Sequence, residues 1–270
     1  MKKPLALFLI WFITIQSQEI NFYGEAKPGN IIIGSGKNIT GAWLNNQKLL
    51  VSKNGMFVFG FDRDAKGKQK LKVKFKKKTT KLFEYILEKE EYETQSLSMQ
   101  NKYVTPPKRE LKRIRKENKQ MKIARSKTGK SSQAFYSIGF GYPVDSVNIT
   151  GFFGNQRILN GKPRNIHNGI DFSAAEGDTI RAITDGIVRI AGKDFFYNGN
   201  FVLLDHGQGL SSVYLHLSKL LVKNKAHLKK GDIIGLAGST GRATGPHLHL
   251  GVQWYKKRID PMCLFKIGLP

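Results

Sequence analysis

The chain has 270 residues, room for roughly one large or two modest domains. Its 40% apolar content, with 17 Phe and 9 Tyr, excludes wholesale disorder, and the lack of an internal period excludes repeat architectures. Lys and Arg number 45 against 20 Asp and Glu, a net charge of +25. A polyanionic partner is therefore expected: nucleic acid, an anionic membrane or an anionic wall polymer.

The first residues narrow that set. Lys2 and Lys3 precede an apolar run, Leu5 to Ile15, interrupted only by Thr14; Gln16, Ser17 and Gln18 follow. That is the layout of a secretory signal over residues 1–17, and the run is short for a membrane span. Cleavage is expected after Ser17. Ile15 is not the small residue favoured at the −3 position, which leaves an uncleaved membrane anchor as the alternative. Export is the expectation, to the periplasm above all. The only cysteine, Cys263, lies in an apolar stretch and reads as a small core residue.

Residues 18–95 read as a small β-rich, sandwich-like domain. Gln47 to Lys53 and Met56 to Phe61 flank Asn54-Gly55, a two-residue hairpin signal. Leu71, Val73 and Phe75 alternate with Lys72, Lys74 and Lys76, as on a half-buried strand. Phe83, Tyr85 and Leu87 suggest another. No histidine precedes His167, and no chemistry is visible in this segment.

Residues 96–134 read as a basic helical linker. Pro106-Pro107 can open a helix, and eleven Lys or Arg against two Glu lie between Lys108 and Lys130. Leu111, Ile114, Met121 and Ile123 form a weak apolar stripe. The segment reads either as a solvated spacer or as a contact with anionic wall polymer or lipid head groups.

From residue 135 to 270 short strand-like runs alternate with Gly-containing turns: Thr179–Ile183, Gly186–Ala191, Phe201–Leu204, Ser211–His216, Ile233–Ala237 and Leu248–Trp254. An antiparallel all-β domain is expected. All six histidines fall here. On a strand, His247 and His249 share a face, with Leu248 and Leu250 on the other. His167 and Asp171 are also an even distance apart, with Gly169 between them to permit a bend or a close approach. Imidazole nitrogens and a carboxylate oxygen are good zinc ligands, and three of them leave a fourth position open, as in a catalytic site. His216 ends an apolar strand. His206 and His227 read as a turn and a surface residue, and Glu176 as a turn residue.

In combination these pieces resemble the lysostaphin-type, or LytM-type, family of zinc endopeptidases, over residues 138–265. The resemblance rests on Thr150-Gly151-Phe152-Phe153-Gly154 with Arg157, His167-x-Gly-Ile-Asp171, and Gly177 to Ala182. It continues through Asp185-Gly186-Ile187-Val188, Gly199-Asn200-Phe201-Val202, Asp205-His206-Gly207 and Tyr214-x-His216-Leu217. Lys230 to Gly235, Ser239-Thr240-Gly241 and Gly245-Pro246-His247-Leu248-His249 complete it. It implies a mainly β fold with an open groove, and zinc held by His167, Asp171 and His249. His216 and His247 would be an unliganded catalytic pair whose separate roles stay open, and Tyr197 and Asn200 would lie in the segment lining the substrate groove.

The implied activity is hydrolysis of peptide cross-links in bacterial peptidoglycan, foremost the D-Ala–diaminopimelate bond. The alternatives are a glycyl-glycine bridge as substrate, or a non-catalytic wall-binding activator of amidases. All five site positions are present, which disfavours the last. Nucleic acid is not an expected partner: no reading module is found, and the signal segment points away from the cytoplasm. The region before residue 135 is expected either to cover the groove or to position the enzyme on the wall.

Overall fold

The computed structural model describes residues 19–76 and 79–270. The expected signal segment lies outside the described residues. Among the described residues no helix is long and apolar enough to cross a membrane.

The N-terminal part holds two small sheets. Strands β1 (Ile20–Tyr23), β2 (Ile31–Gly36) and β5 (Met56–Gly60) form one, in the order β1-β2-β5. Strands β3 (Ile39–Leu44), β4 (Gln47–Leu49), β6 (Gly67–Phe75) and β7 (Thr80–Leu87) form the other, in the order β4-β3-β6-β7. The period-2 pattern does the work expected of it on β6: Leu71, Val73 and Phe75 are buried, while Lys72 and Lys74 place their ammonium groups over the Trp43 ring. Asn54-Gly55 does form a turn, closed by Gly55 N–H to Ser52 O at 2.9 Å, with Gly55 at φ 77°. The flanking strands, however, do not pair as the expected hairpin. β4 goes to β3 and β5 to β2, so this turn carries the chain from one sheet to the other.

Strand β8 (Thr94–Leu97) leaves this region and pairs in parallel with β10 (Gln156–Leu159), itself paired with β11 (Lys162–Pro163). A short helix α1 (Asn101–Val104) and the longer α2 (Leu111–Arg125) follow. Pro106-Pro107 precede a 3-10 turn, Lys108–Glu110, that leads into α2. The basic segment is packed: Ile114 and Ala124 are buried, and Ala124 and Met121 lie on an apolar cluster of Phe195, Phe201, Leu203 and Val213.

The C-terminal part is built on an eight-stranded sheet with β9 (Ile149–Gly151), β12 (Ile170–Ser173), β14 (Gly186–Phe195), β15 (Gly199–Asp205), β16 (Leu210–Leu217), β18 (His227–Leu228), β20 (His247–Trp254) and β21 (Lys257–Ile259). Its order is β18-β14-β15-β16-β20-β12-β9, with β21 paired to β20, and all the pairings are antiparallel. β13 (Thr179–Arg181), β17 (Lys219–Leu220) and β19 (Ile233–Leu236) make a smaller sheet beside it. One apolar core runs from Ile31 and Phe57 through Phe172, Leu204, Tyr214 and Trp254 to α3 (Pro261–Phe265), so the two parts share a continuous interior. The architecture is mainly β, with a large antiparallel C-terminal sheet and smaller N-terminal sheets, as the strand-like runs imply.

Candidate active site

The register of β20 sets the site. Asp171 of β12 lies directly opposite His249, and Ser173 opposite His247; on the other side Leu215 of β16 opposes His249. Alternation sends Leu248 and Leu250 fully into the core and His247, His249, Gly251 and Gln253 to the open face. His167 is not on a strand. It sits in the loop before β12, pinned by His167 N–H to Asn155 O and Gly154 N–H to His167 O, both at 2.9 Å.

Three donor atoms converge. His167 Nε2 is 3.0 Å from Asp171 Oδ1 and 3.0 Å from His249 Nδ1, and His249 Nδ1 is 2.8 Å from Asp171 Oδ1. A tetrahedral ion with bonds of about 2.0–2.1 Å would separate its ligands by about 3.3 Å, so small outward shifts would seat one. The tautomer fits as well. His167 Nδ1 lies 2.7 Å from the Phe152 carbonyl, which only accepts, so the proton is on Nδ1 and the Nε2 lone pair faces the cluster. Asp171 is braced from behind: its Oδ2 accepts from Arg157 Nη2 at 2.5 Å, leaving Oδ1 to the imidazoles. His167, Asp171 and His249 thus form a group that could hold a metal ion.

The room for it comes from glycine. A Cβ on Gly169 would fall 2.2 Å from Leu250 O and 2.8 Å from His249 Nε2, and one on Gly151 would fall 2.5 Å from Asp171 Oδ2. Gly251 leaves the next place on the open face of β20 clear, where a Cβ would fall 3.0 Å from Val213 and 3.6 Å from His249 Nε2.

His216 and His247 stand beside this group with ring centroids 4.9 Å apart; His216 is 6.2 Å from His249 by the same measure. Each fixes its tautomer on a carbonyl: His216 Nδ1–H donates to Thr240 O and His247 Nδ1–H to Gly245 O, both at 2.8 Å. Their Nε2 atoms are therefore left as acceptors, and His247 Nε2 lies 3.9 Å from Asp171 Oδ1. His216 adopts φ 66°, which a non-glycine residue holds only when its surroundings impose it. Burial, followed by the charges of His247 and His249, pushes the His216 imidazole down to about 3; burial pushes His249 down to about 4. Burial alone would raise Asp171, but the close imidazoles of His167 and His249 outweigh it and hold the carboxyl well below its usual range. At neutral pH the site thus presents the Asp171 carboxylate beside uncharged His216 and His249 rings.

The remaining candidates separate. Tyr197 lines the cavity beside the cluster, about 290 Å³ in volume, and its ring lies 4.8 Å from the Arg242 guanidinium. Asn200 turns inward: Oδ1 accepts from Asp194 N–H, and Nδ2 donates to Leu217 O and Ser218 O, so its amide holds a bulge rather than facing the groove. His206 is buried between Asp185 O and Ser212 Oγ, each at 2.7 Å, and His227 and Glu176 are exposed. Three features were not anticipated from the sequence: Arg242, the lining of a second cavity by Gln95, Leu97 and Met99, and the lining of the first by Glu117, Met121 and Arg125 of α2. Arg242 directly follows the Ser239-Thr240-Gly241 block, which was the available signal.

The Peptidase family M23 profile matches residues 165–261, a span that contains the whole histidine and aspartate cluster. The chain belongs to peptidase family M23. Over 110 residues it is 43% identical to peptidoglycan DD-endopeptidase ShyA of Vibrio cholerae, a match covering 40% of this chain and 25% of that protein. It is 38% identical over 105 residues to DD-carboxypeptidase/endopeptidase Mpg of Neisseria meningitidis, covering 39% and 23%. The chain thus spans about a quarter of the length of these curated M23 relatives. Among solved structures, the peptidase M23 from Pseudomonas aeruginosa superposes with a TM-score of 0.65 at 28% identity, covering 90% of this chain and 96% of that one. The shared M23 fold therefore includes the N-terminal sheets as well as the matched segment.

Proposed function

We propose that the chain is a zinc-dependent endopeptidase that hydrolyses peptide cross-links of peptidoglycan, at the bond between D-alanine and the D-centre of diaminopimelate. The observation that carries this is the convergence of His167, Asp171 and His249 within 3.0 Å of one another beside two imidazoles whose Nε2 atoms are left as acceptors. ShyA and Mpg, the relatives matched over this segment, act on DD bonds by their names, which supports the choice of bond. Zinc bound there would supply Lewis acidity toward the scissile carbonyl and bring its water's pKa down toward neutrality.

The protein's part is positional. His167 and His249 offer imidazole nitrogens, Asp171 adds one negative charge, and the Phe152 carbonyl and Arg157 hold two of the three in place. His216 and His247 present acceptor nitrogens to the same space. As a pair they can take the proton of an attacking water and return one to the departing amine. Export belongs to the proposal and is supported by Lys2, Lys3 and the apolar run to Ile15. The basic residues of the 108–130 segment would hold the enzyme against anionic wall polymer or membrane. The test is zinc content together with dye release from labelled sacculi. One bound zinc per chain and chelator-sensitive release are expected; release unaffected by chelation would reject the metal-dependent reading.

A further inference from the structure

Two guanidinium groups, those of Arg157 and Arg242, stand beside the His167–Asp171–His249 cluster, and a third, Arg164, lies close to Arg157 along the chain. Arg157 and Arg242 line both cavities, together with His216, so they stand where the two spaces meet at the catalytic cluster. Arg164 follows closely: its backbone N–H donates to Arg157 O at 2.8 Å. Their donors exceed their acceptors. Arg157 gives Nη2 to Asp171 while its Nε is buried with no partner; Arg164 gives Nη2 to Val104 O at 2.7 Å while its Nε is likewise buried and unpartnered.

Arg242 has no carboxylate partner among the described residues. Its guanidinium rests on the Tyr197 ring, and its backbone N–H bonds Tyr197 O at 2.9 Å. The acidic groups lining the two cavities are already engaged. Asp171 serves the His167–Asp171–His249 cluster, and Glu117 accepts from Arg113 and from Phe196 N–H. Burial lowers the Arg242 pKa most; Tyr197 opposes this, and the charges of Arg157 and Arg164 add to it. Partly buried like charges repel, and an anion entering this corner would relieve them.

We propose that Arg242, backed by Arg157, binds the free carboxylate borne by the substrate carbon attached to the scissile nitrogen. This rests on the proposed function: in a D-alanyl–diaminopimelate link that carbon carries a carboxylate two bonds from the nitrogen, whereas a glycine bridge has none. A planar guanidinium fork matches a carboxylate with two parallel hydrogen bonds. Tyr197 beneath it holds the plane of the fork, which gives that residue a positioning role. The subsite would select the bond by charge.

The experiment uses the zinc-loaded full chain and two cross-linked muropeptide dimers, one with the diaminopimelate carboxylate free and one with it amidated. Wild type is expected to favour the free dimer by about 10- to 100-fold in kcat/KM, the loss typical of a charge-assisted hydrogen-bond pair. R242Q should lose that factor on the free dimer and little on the amidated one, and R242K should recover part of it. Calorimetric titration of a stem peptide ending in diaminopimelate should show the same weakening in R242Q, with zinc content unchanged. Equal cleavage of both dimers by wild type, or equal losses on both in R242Q, would overturn the subsite while leaving the endopeptidase standing. Cleavage of neither dimer, with zinc bound, would overturn the choice of bond and the subsite together.

Discussion

Helix α2 lies over the open face of the catalytic sheet, and a peptide laid along β16 and β20 would meet it. Glu117 Oε2 accepts from Phe196 N–H at 2.9 Å, Glu117 Oε1 pairs with Arg113 at 2.8 Å, and the buried Arg125 guanidinium bonds Gln253 on the same face of β20 as His249. Burial lowers Arg125 to about 10, so its charge is still complete at neutral pH. Each of the Glu117 and Arg125 contacts is a charge-assisted hydrogen bond worth about 1.5–3 kcal/mol. Recovered hydration offsets part of that, leaving about 3 kcal/mol for the pair, or about a 100-fold shift between covered and open groove.

The double variant E117A/R125A should therefore hydrolyse cross-linked dimers faster than wild type, by up to about 100-fold. The gain would be smaller once the open form dominates. Amide hydrogen exchange in residues 111–125 should quicken in parallel. Faster exchange of α2 with an unchanged or lower rate would refute the reasoning, because it would show that a loosened helix does not limit access to the site.

Other perturbations act on the site itself. Gly169→Ala places a methyl 2.2 Å from a backbone oxygen that cannot retreat and 2.8 Å from the His249 ring. It should lower stability by about 1–3 kcal/mol by thermal melting and weaken zinc binding, and a variant with wild-type zinc affinity would contradict the role assigned to that glycine. Arg157→Ala removes the brace on Asp171 and should weaken zinc by about 10- to 100-fold in a chelator competition; unchanged affinity would mean that Asp171 is held without it. Burial lowers His206, His216 and His249, so as pH falls below about 6.5 the unfolded chain takes up protons that the folded chain refuses. The metal-free protein should therefore lose stability from pH 6.5 down towards 4, by at most about 1.4 kcal/mol per pH unit for each imidazole. Asp171 works at lower pH: its depressed carboxyl stabilises the fold above the ordinary carboxylate range, and that contribution is lost only as pH falls through its folded value. A flat melting profile from pH 7 to 4 would remove the case for neutral buried imidazoles.

The strands most legible in the sequence are those with one polar and one buried face. Alternation alone placed His247 and His249 together, and the buried Leu71, Val73 and Phe75 on β6. What was not legible depends on pairing over distance. Asn54-Gly55 carries a strong local turn signal, yet the longer-range demand for two sheets sends β4 and β5 to different neighbours. His167 reaches Asp171 from a loop held by backbone bonds to Gly154 and Asn155, which no spacing rule encodes. His216 meets His247 through a left-handed backbone conformation, a tertiary constraint invisible in Tyr214-Leu215-His216. Asn200 sits among groove-lining residues in sequence but points inward, because a bulge between Asn200 and Val202 requires its amide. The basic segment reads as a linker by charge, while the packing of Ala124 and Met121 rests on two small contacts in a long polar stretch.

The most direct test is digestion of intact sacculi by the purified zinc-loaded chain, with product masses, beside a His249→Ala variant and a chelated sample. The account predicts that D-Ala–diaminopimelate cross-linked dimers become monomers, and that both controls abolish the conversion. Dimers that persist in the zinc-loaded wild type and in E117A/R125A alike would contradict it.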